Sequence, residues 1–583
     1  MAGLKALQAI IASAIKLSAP ALGTKLGCAL VTLLLLSACG GKGISEGDSI
    51  SSLGSSAGSV SSLSSSSHSS SSKPSGASSV ATSSAPAQVR ITGLVSYEHV
   101  PVSNTQGLNY PATTSKAVRL ARVNAIDETG EVIATTQTNT AGRYSLLVPS
   151  NTELKVQVEA QSFSGEPARW GVRVEDNTAA NSLYVLEGQL SNSGVNNSVR
   201  DLHATSGWTG NDYTEPRAAA PFAIMDSVYQ ATQKLLEVDQ ALSLPSCVLR
   251  WSVNNTVAIG DIPGGDIGTS FYDGEAVYLL GQADVDTDEY DTHVITHEWG
   301  HFVEHQLSRQ LDSVGGEHSL GDKLDMRVAY SEGFANAMAG YLLADPQYRD
   351  TLSVSQGVSV GFDVSQTNLL NPGWYNEASI QAVFYHLAES GAFATIYGVL
   401  TDPVYVSSPA FSSIFSFADV MAARYPAAFT VLDRLMQQQS ITARNRYGVG
   451  EYNNGNSAAN LPLYLDLVAD GSVVTVCSSQ QHGSYNKLGV HKYLKTMIFN
   501  SGGYRLLAKN NNHRNTPTDP DIIIQGELQR WFAQSSVTDT ETLDLYLQSG
   551  ATYVLSVSDY AEHKDTRQAD YQAACFDVSL TPH

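Results

Sequence analysis

His297 and His301 stand four residues apart in His297-Glu298-Trp299-Gly300-His301. On a helix, positions four apart lie on one face, one turn above the other, so both imidazoles point to the same side. Two imidazoles so placed can bind one tetrahedral Zn2+ at roughly 2.0–2.1 Å. Glu298 is badly placed to share that ion but can reach a water on it, which is the position a general base needs. A hydrolytic zinc takes a third protein ligand and keeps a fourth position open. Two residues compete for the third place. His318 lies in a Gly-rich, polar stretch, 312–325, that reads as a loop, a poor platform for ligation. Glu332 lies in Ala329-Tyr330-Ser331-Glu332-Gly333-Phe334-Ala335-Asn336, which reads as a second helix. Packed antiparallel on the first, it would bring Glu332 over the two histidines, with Gly333 allowing close backbone approach. Glu332 is the expected ligand.

The arrangement resembles the gluzincins, the thermolysin-like group with HExxH on one helix and a ligand Glu on the next. The resemblance covers about residues 265–345. A metzincin would carry Gly and His at 304 and 307, where this chain has Glu304 and Leu307. In thermolysin-like enzymes an Asp orients the first His ligand. Here the matching residue is Asn336, which can accept a hydrogen bond but carries no charge. The resemblance also implies an oxyanion donor, a His or Tyr on a later helix, and Tyr385 and His386 are the candidates. Thirty residues separate His301 from Glu332, more than in thermolysin, which leaves room for the enhancin-like mucin peptidases.

Other ionisable residues near the motif read more plainly. His293 and His305 continue the spacing but rotate off the ligand face, so they are expected to be bystanders. The acidic run Asp284, Asp286, Asp288, Glu289, Asp291 has oxygens of the kind Ca2+ prefers, yet lacks the twelve-residue loop pattern with its closing Glu. A solvated loop leading into the next helix is the favoured reading, with Ca2+ a weak possibility.

The elements that must hold these residues follow from periodicity. Helical spacing runs over 216–242, 292–311, 326–344, 377–387 and 417–438, and strands over 248–257 and 275–280. The last of these could be an edge strand that pairs with an extended substrate. Together they predict an α+β segment over 205–475. Before it, 89–95, 117–126 and 144–148 alternate in the manner of half-buried strands. Val123-Asn124-Ala125-Ile126-Asp127, Gly130 and 138–149 resemble the small transthyretin-like accessory sandwich. After it, 504–508, 521–524, 543–547 and 553–557 are short strands. Thr518-Asp519-Pro520-Asp521 and Gly550-Ala551-Thr552-Tyr553 resemble the jelly-roll-like domain at the C-terminus of secreted bacterial peptidases.

The chain of 583 residues is too long for one core and suggests about three or four domains. Residues 1–38 read as an export signal: scattered lysines, then an apolar run, 26–36, too short to span a bilayer. Leu36-Ser37-Ala38-Cys39-Gly40 resembles the lipobox of bacterial lipoproteins, which implies lipidation at Cys39 and leans toward the outer membrane. Residues 39–88 are a Ser-rich flexible tether. With Cys28 in the signal and Cys39 lipidated, Cys247, Cys477 and Cys575 leave one disulfide and one free thiol, the pair undecided. The formal net charge of −22 argues against nucleic acid as a partner.

The expectation is therefore a multidomain protein. An α+β zincin-like catalytic domain (205–475) is flanked by two all-β sandwich domains (89–204 and 476–583). The implied activity is that of an exported, lipid-anchored zinc endopeptidase on protein or glycoprotein substrates. The alternative is a cell-surface glycan- or protein-binding lipoprotein with a structural or inactive zinc site, for which a fourth ligand such as His318 would argue. Sequence does not specify the oligomeric state.

Overall fold

Alternating burial sets the first part of the fold. The computed structural model describes residues 87–103, 106–165, 168–309, 318, 321–479, 486–511, 517–527, 529–560 and 573–583. The expected signal, Cys39 and most of the Ser-rich tether lie outside the described residues. Strand β1 (Gln88–His99) buries every second residue through its first half and pairs antiparallel with a later strand, Arg143–Pro149. A second sheet carries β2 (Ala121–Asp127), β3 (Val132–Gln137), β4 (Glu153–Ser164) and β5 (Trp170–Asp176). Strand β4 alternates along most of its length, one face on the core and one toward solvent.

This sheet does not stop at residue 204. Strand β6 (Ser246–Trp251) pairs in parallel with β5, Leu249 opposite Val174. β7 (Phe271–Tyr272) and β8 (Ala276–Leu279) extend it further, in the order β7-β8-β6-β5-β4-β2-β3. The sandwich expected over 89–204 thus shares a sheet with the segment that follows, and one hydrophobic cluster runs through both. The strand expected over 275–280 is present as β8, but β7 covers its outer side, Phe271 opposite Tyr278, so β7 forms the sheet edge.

The helices follow the expected spacing. Helix α1 (Ala220–Val238) buries Ile224, Val228, Ala231 and Leu235. Helices α2 (Thr292–Leu307) and α3 (Met326–Leu342) are buried on nearly all sides, and α4 (Glu377–Leu387) packs on α3. The single helix expected over 417–438 is two, Ile414–Arg424 and Pro426–Gln438. Pro426 lacks an N–H and disfavours helical geometry at Tyr425, so the chain breaks there and restarts. Flanking α2 and α3 in the chain, β9 (Gly281–Gln282), β10 (Asp286–Thr287), β11 (Gln347–Leu352) and β12 (Val358–Asp363) form a small sheet that brings the segment before α2 against the segment after α3.

The C-terminal strands form two sheets around a separate cluster that includes Leu506, Ile522, Leu555 and Val578. Cys477 and Cys575 are joined by a disulfide across neighbouring strands, and Cys247 is buried and free. The sandwich touches α3 directly. Asp325 caps that helix by accepting from the Arg327 amide, and its carboxylate also accepts from Tyr493 Oη at 2.6 and 2.8 Å.

Candidate metal centre

The pairing of α2 with α3 brings His297, His301 and Glu332 to one point. His297 Nε2 lies 3.1 Å from His301 Nε2, and Glu332 Oε2 lies 3.2 Å from the first and 3.4 Å from the second. Three ligand atoms on one tetrahedral zinc at its usual bond lengths would be about 3.3 Å apart. The triangle therefore has the dimensions of three corners of such a site. All three side chains are buried.

The donor set also has the right chemistry. Glu298 and Glu332 each bury a carboxylate oxygen, Oε2 and Oε1 respectively, with no hydrogen-bond partner. Buried polar atoms are rarely left so, and an ion or a water is the usual remedy. Glu298 Oε1 stands 4.0 Å from His297 Nε2, beside the triangle rather than in it. Burial, with the neighbouring Glu332 charge adding to it, pushes the Glu298 carboxyl up to about 8. Burial would also raise Glu332, but facing His318 and His301, with hydrogen bonds from His297 and His301, holds it well below the usual range. Burial alone would lower His301; the Glu332 carboxylate outweighs it and raises the imidazole.

Each histidine of the triangle is tied down at its other nitrogen. His297 Nδ1 lies 2.8 Å from Asn336 Oδ1, and Asn336 Nδ2 donates to Glu377 Oε1 at 2.6 Å. His301 Nδ1 lies 3.2 Å from Ser331 Oγ, which donates to Glu304 Oε2 at 2.8 Å. Asn336 lies beside His297, and Glu377, Ser331 and Glu304 are partners sequence reasoning missed. Glu304, three residues after His301, was visible as a same-face neighbour. Glu377 is 41 residues from Asn336, and the only hint was Gly333. A Cβ there would sit 2.6 Å from Glu377 O and 2.7 Å from Ile380 Cβ. The glycine therefore lets α4, not α2, come close to α3.

His318 lies beside Glu332, and the other candidates lie further off. His318 faces carboxylates, its Nε2 3.1 Å from Glu377 Oε2 and its Nδ1 4.0 Å from Glu332 Oε1. His386 Nε2 sits 2.8 Å from the Ser365 carbonyl, and Tyr385 packs by Gly340, two turns along α3 from Glu332. The structure does not bring this pair to the triangle: α4 turns Glu377 inward at its first turn, and its last turn runs past the far end of α3. His293 meets the Asp345 carbonyl and His305 the Tyr272 hydroxyl, away from the triangle.

A second cluster lies in the small sheet. Asp286, Asp288 and Asp350 bring carboxylate oxygens within 4.8 Å of one another, all buried. Asp291 is buried nearby, its Oδ2 accepting from the Thr351 amide and hydroxyl at 2.8 Å each. Oδ1 of Asp286, Asp291 and Asp350 has no hydrogen-bond partner. Burial pushes Asp288 up to about 7, against a hydrogen bond from Ser270 and with the Glu289 charge adding to it; burial first, then repulsion from the neighbouring aspartates, pushes Asp286, Asp291 and Asp350 well above the carboxylate range. The acidic run is therefore not the solvated loop that its composition suggested. β10 carries Asp286 into the protein, and β11 supplies Asp350 from the far side of α3.

Residues 246–390, which include α2, α3 and α4, match the model of a family described as the mycolysin C-terminal domain. The match relates this stretch to a peptidase family. No curated protein matches the chain. Among solved structures, the chain is similar to the pre-peptidase C-terminal domain of a collagenase from Bacillus anthracis (10% identity, TM-score 0.14, 20% of this chain and 93% of that one). It is also similar to a surface-associated copper-binding protein of Methylomicrobium album (6%, 0.15, 21% and 98%). A third is a periplasmic inhibitor of g-type lysozyme from Aeromonas hydrophila (10%, 0.13, 20% and 96%). At these scores the likenesses decide neither fold nor function.

Proposed function

We propose that this chain is a zinc-dependent endopeptidase, exported and held at a bacterial outer membrane through a lipid on Cys39, that cuts protein or glycoprotein chains. The observation that carries the reading is the triangle of His297 Nε2, His301 Nε2 and Glu332 Oε2, with sides of 3.1, 3.2 and 3.4 Å, and the Glu298 carboxylate beside it. These three residues would hold the ion. Bound zinc supplies Lewis acidity, drawing electron density from a carbonyl oxygen and making a water easier to deprotonate.

The rest of the chemistry belongs to side chains. Glu298 takes the proton of the attacking water at its unpartnered Oε2 and delivers it to the leaving amine. Its burial matters here, because a carboxylate raised toward neutral pH is a better match to that proton than one at its ordinary value. The positive charge of a bound zinc would favour its ionised form. A structural zinc would need a fourth protein ligand, and His318, the nearest candidate, is set against Glu377 and Glu332 instead.

We also propose that Asp286, Asp288 and Asp350, with Asp291 behind them, take Ca2+. Hard oxygen donors in a buried, unneutralised group suit that ion, and among the described residues no cationic side chain pairs with these aspartates. Exchange of Glu298 for Gln tests the peptidase reading. Zinc content should stay at that of the parent while hydrolysis of casein falls about a thousandfold. Retained cleavage would remove Glu298 from its role.

A further inference from the structure

At Nδ1, the nitrogen turned away from the triangle, the first imidazole meets the neutral Asn336 rather than a carboxylate. The second likewise meets a serine at Nδ1. In both cases a carboxylate stands one hydrogen bond further on. From His297 the path runs Nδ1, Asn336 Oδ1, Asn336 Nδ2, Glu377 Oε1, at 2.8 and 2.6 Å. From His301 it runs Nδ1, Ser331 Oγ, Glu304 Oε2, at 3.2 and 2.8 Å. All six side chains are buried.

We infer that Glu377 and Glu304 are positioning residues, each fixing one ligand imidazole through a neutral go-between. The inference rests on the zinc reading above. A carboxylate only accepts hydrogen bonds. Glu377 therefore draws the amide side of Asn336 toward itself, which leaves Asn336 Oδ1 facing His297. An oxygen there accepts, so the proton of a neutral His297 sits on Nδ1 and the Nε2 lone pair points into the triangle. Glu304 acts in the same way through the hydroxyl. It takes the Ser331 proton, Ser331 Oγ accepts from His301 Nδ1, and Nε2 is again left free. The direction of each donor is set from the carboxylate end.

The go-betweens have a physical use. Glu298, Glu304, Glu332 and Glu377 are four buried carboxylates around one pocket. A fifth at position 336 would touch Glu377 and stand a helical turn from Glu332, and like charges so close resist ionisation together. An amide passes on the orientation and part of the polarisation without adding that charge. Partners of this kind typically change metal affinity by about 10- to 100-fold.

The experiment measures zinc affinity by chelator competition on the full chain, with melting of the zinc-free protein alongside. Glu377→Gln and Glu304→Gln should each weaken zinc by about 10-fold or more, with little change in zinc-free melting. A purely structural role would move melting instead. The decisive comparison is serial. In an Asn336→Ala background, Glu377→Gln should weaken zinc much less than it does in the parent, because its hydrogen-bonded path to His297 is gone. In a Ser331→Ala background, Glu304→Gln should likewise weaken zinc much less. Full additivity in either background, or parental affinity in both single variants, overturns the relays. His297→Ala separates the two readings. If it leaves zinc affinity unchanged, the metal is held elsewhere and the function proposed above fails as well. If it abolishes zinc while both Glu variants bind normally, only the relays fail.

Discussion

Two buried clusters of ionisable side chains lie near α2, and they are built on opposite principles. The first mixes imidazoles with carboxylates: His297, His301 and Glu332 satisfy one another at 3.1–3.4 Å. The second is acid alone: Asp286, Asp288 and Asp350, with Asp291 near, raise one another and leave oxygens unpartnered. A mixed cluster can fold without an ion, because Glu332 and His301 are each other's counter-charge. An all-acid cluster can fold without one only by keeping its protons, and at neutral pH that costs stability. Loss of metal from the first should therefore abolish chemistry and spare the fold, whereas loss from the second should spare the chemistry and weaken the fold.

The largest expected effect breaks the first cluster. Glu332→Ala should remove zinc and reduce cleavage to background, while circular dichroism stays that of the parent. Global unfolding of this variant would show that the mixed cluster, too, depends on its ion.

The second cluster gives a pH signature. The unfolded aspartates ionise near pH 4, whereas Asp288 in the fold holds its proton to about 7. Between those values the unfolded state sheds protons that the folded state keeps, so ion-free stability should fall as pH rises. The slope is about 1.4 kcal/mol per pH unit for each such group, flattening for Asp288 above its folded value. Saturating Ca2+ should remove the slope and, at a hundred times its dissociation constant, add about 2.7 kcal/mol. Melting curves from pH 4 to 8, with and without Ca2+, check this, and stability that rises with pH in the ion-free protein would contradict it.

Asp350→Asn sharpens the contrast. Removing one repelling charge should raise the ion-free melting temperature at pH 7 and cut the Ca2+ response, with zinc content unchanged. A smaller effect is expected from Gly333→Ala. Its Cβ would meet the backbone of α4 at 2.6–2.9 Å and push Glu377 from Asn336, costing about 1–3 kcal/mol and some zinc affinity while leaving the Ca2+ response alone.

What the sequence showed and what it hid divide along the same lines. His297, Glu298 and His301 are local, since helical spacing alone places them on one face. Glu332 needed only a second helix packed on the first. The partners at greater sequence distance were not legible. Asn336 meets Glu377 across 41 residues, and nothing in helical periodicity says which face of α4 turns inward. Tyr385 and His386 looked suitable by residue type, but they ride on the last turn of that helix, away from the metal ligands. The acidic run looked solvated because its counterpart, Asp350, arrives only through strand pairing. In sequence, strand β6 belongs to the segment expected over 205–475, yet in space it extends the sheet that holds β5.

The most direct test of the account is metal content of the purified full chain, measured together with casein hydrolysis before and after treatment with a zinc chelator. The expected result is one zinc per chain, cleavage lost on chelation and restored by added zinc, and no change in the folded state through the cycle. Absence of zinc from the purified, zinc-supplemented protein, or cleavage that survives complete zinc removal, would contradict the reading of His297, His301 and Glu332 as a hydrolytic centre.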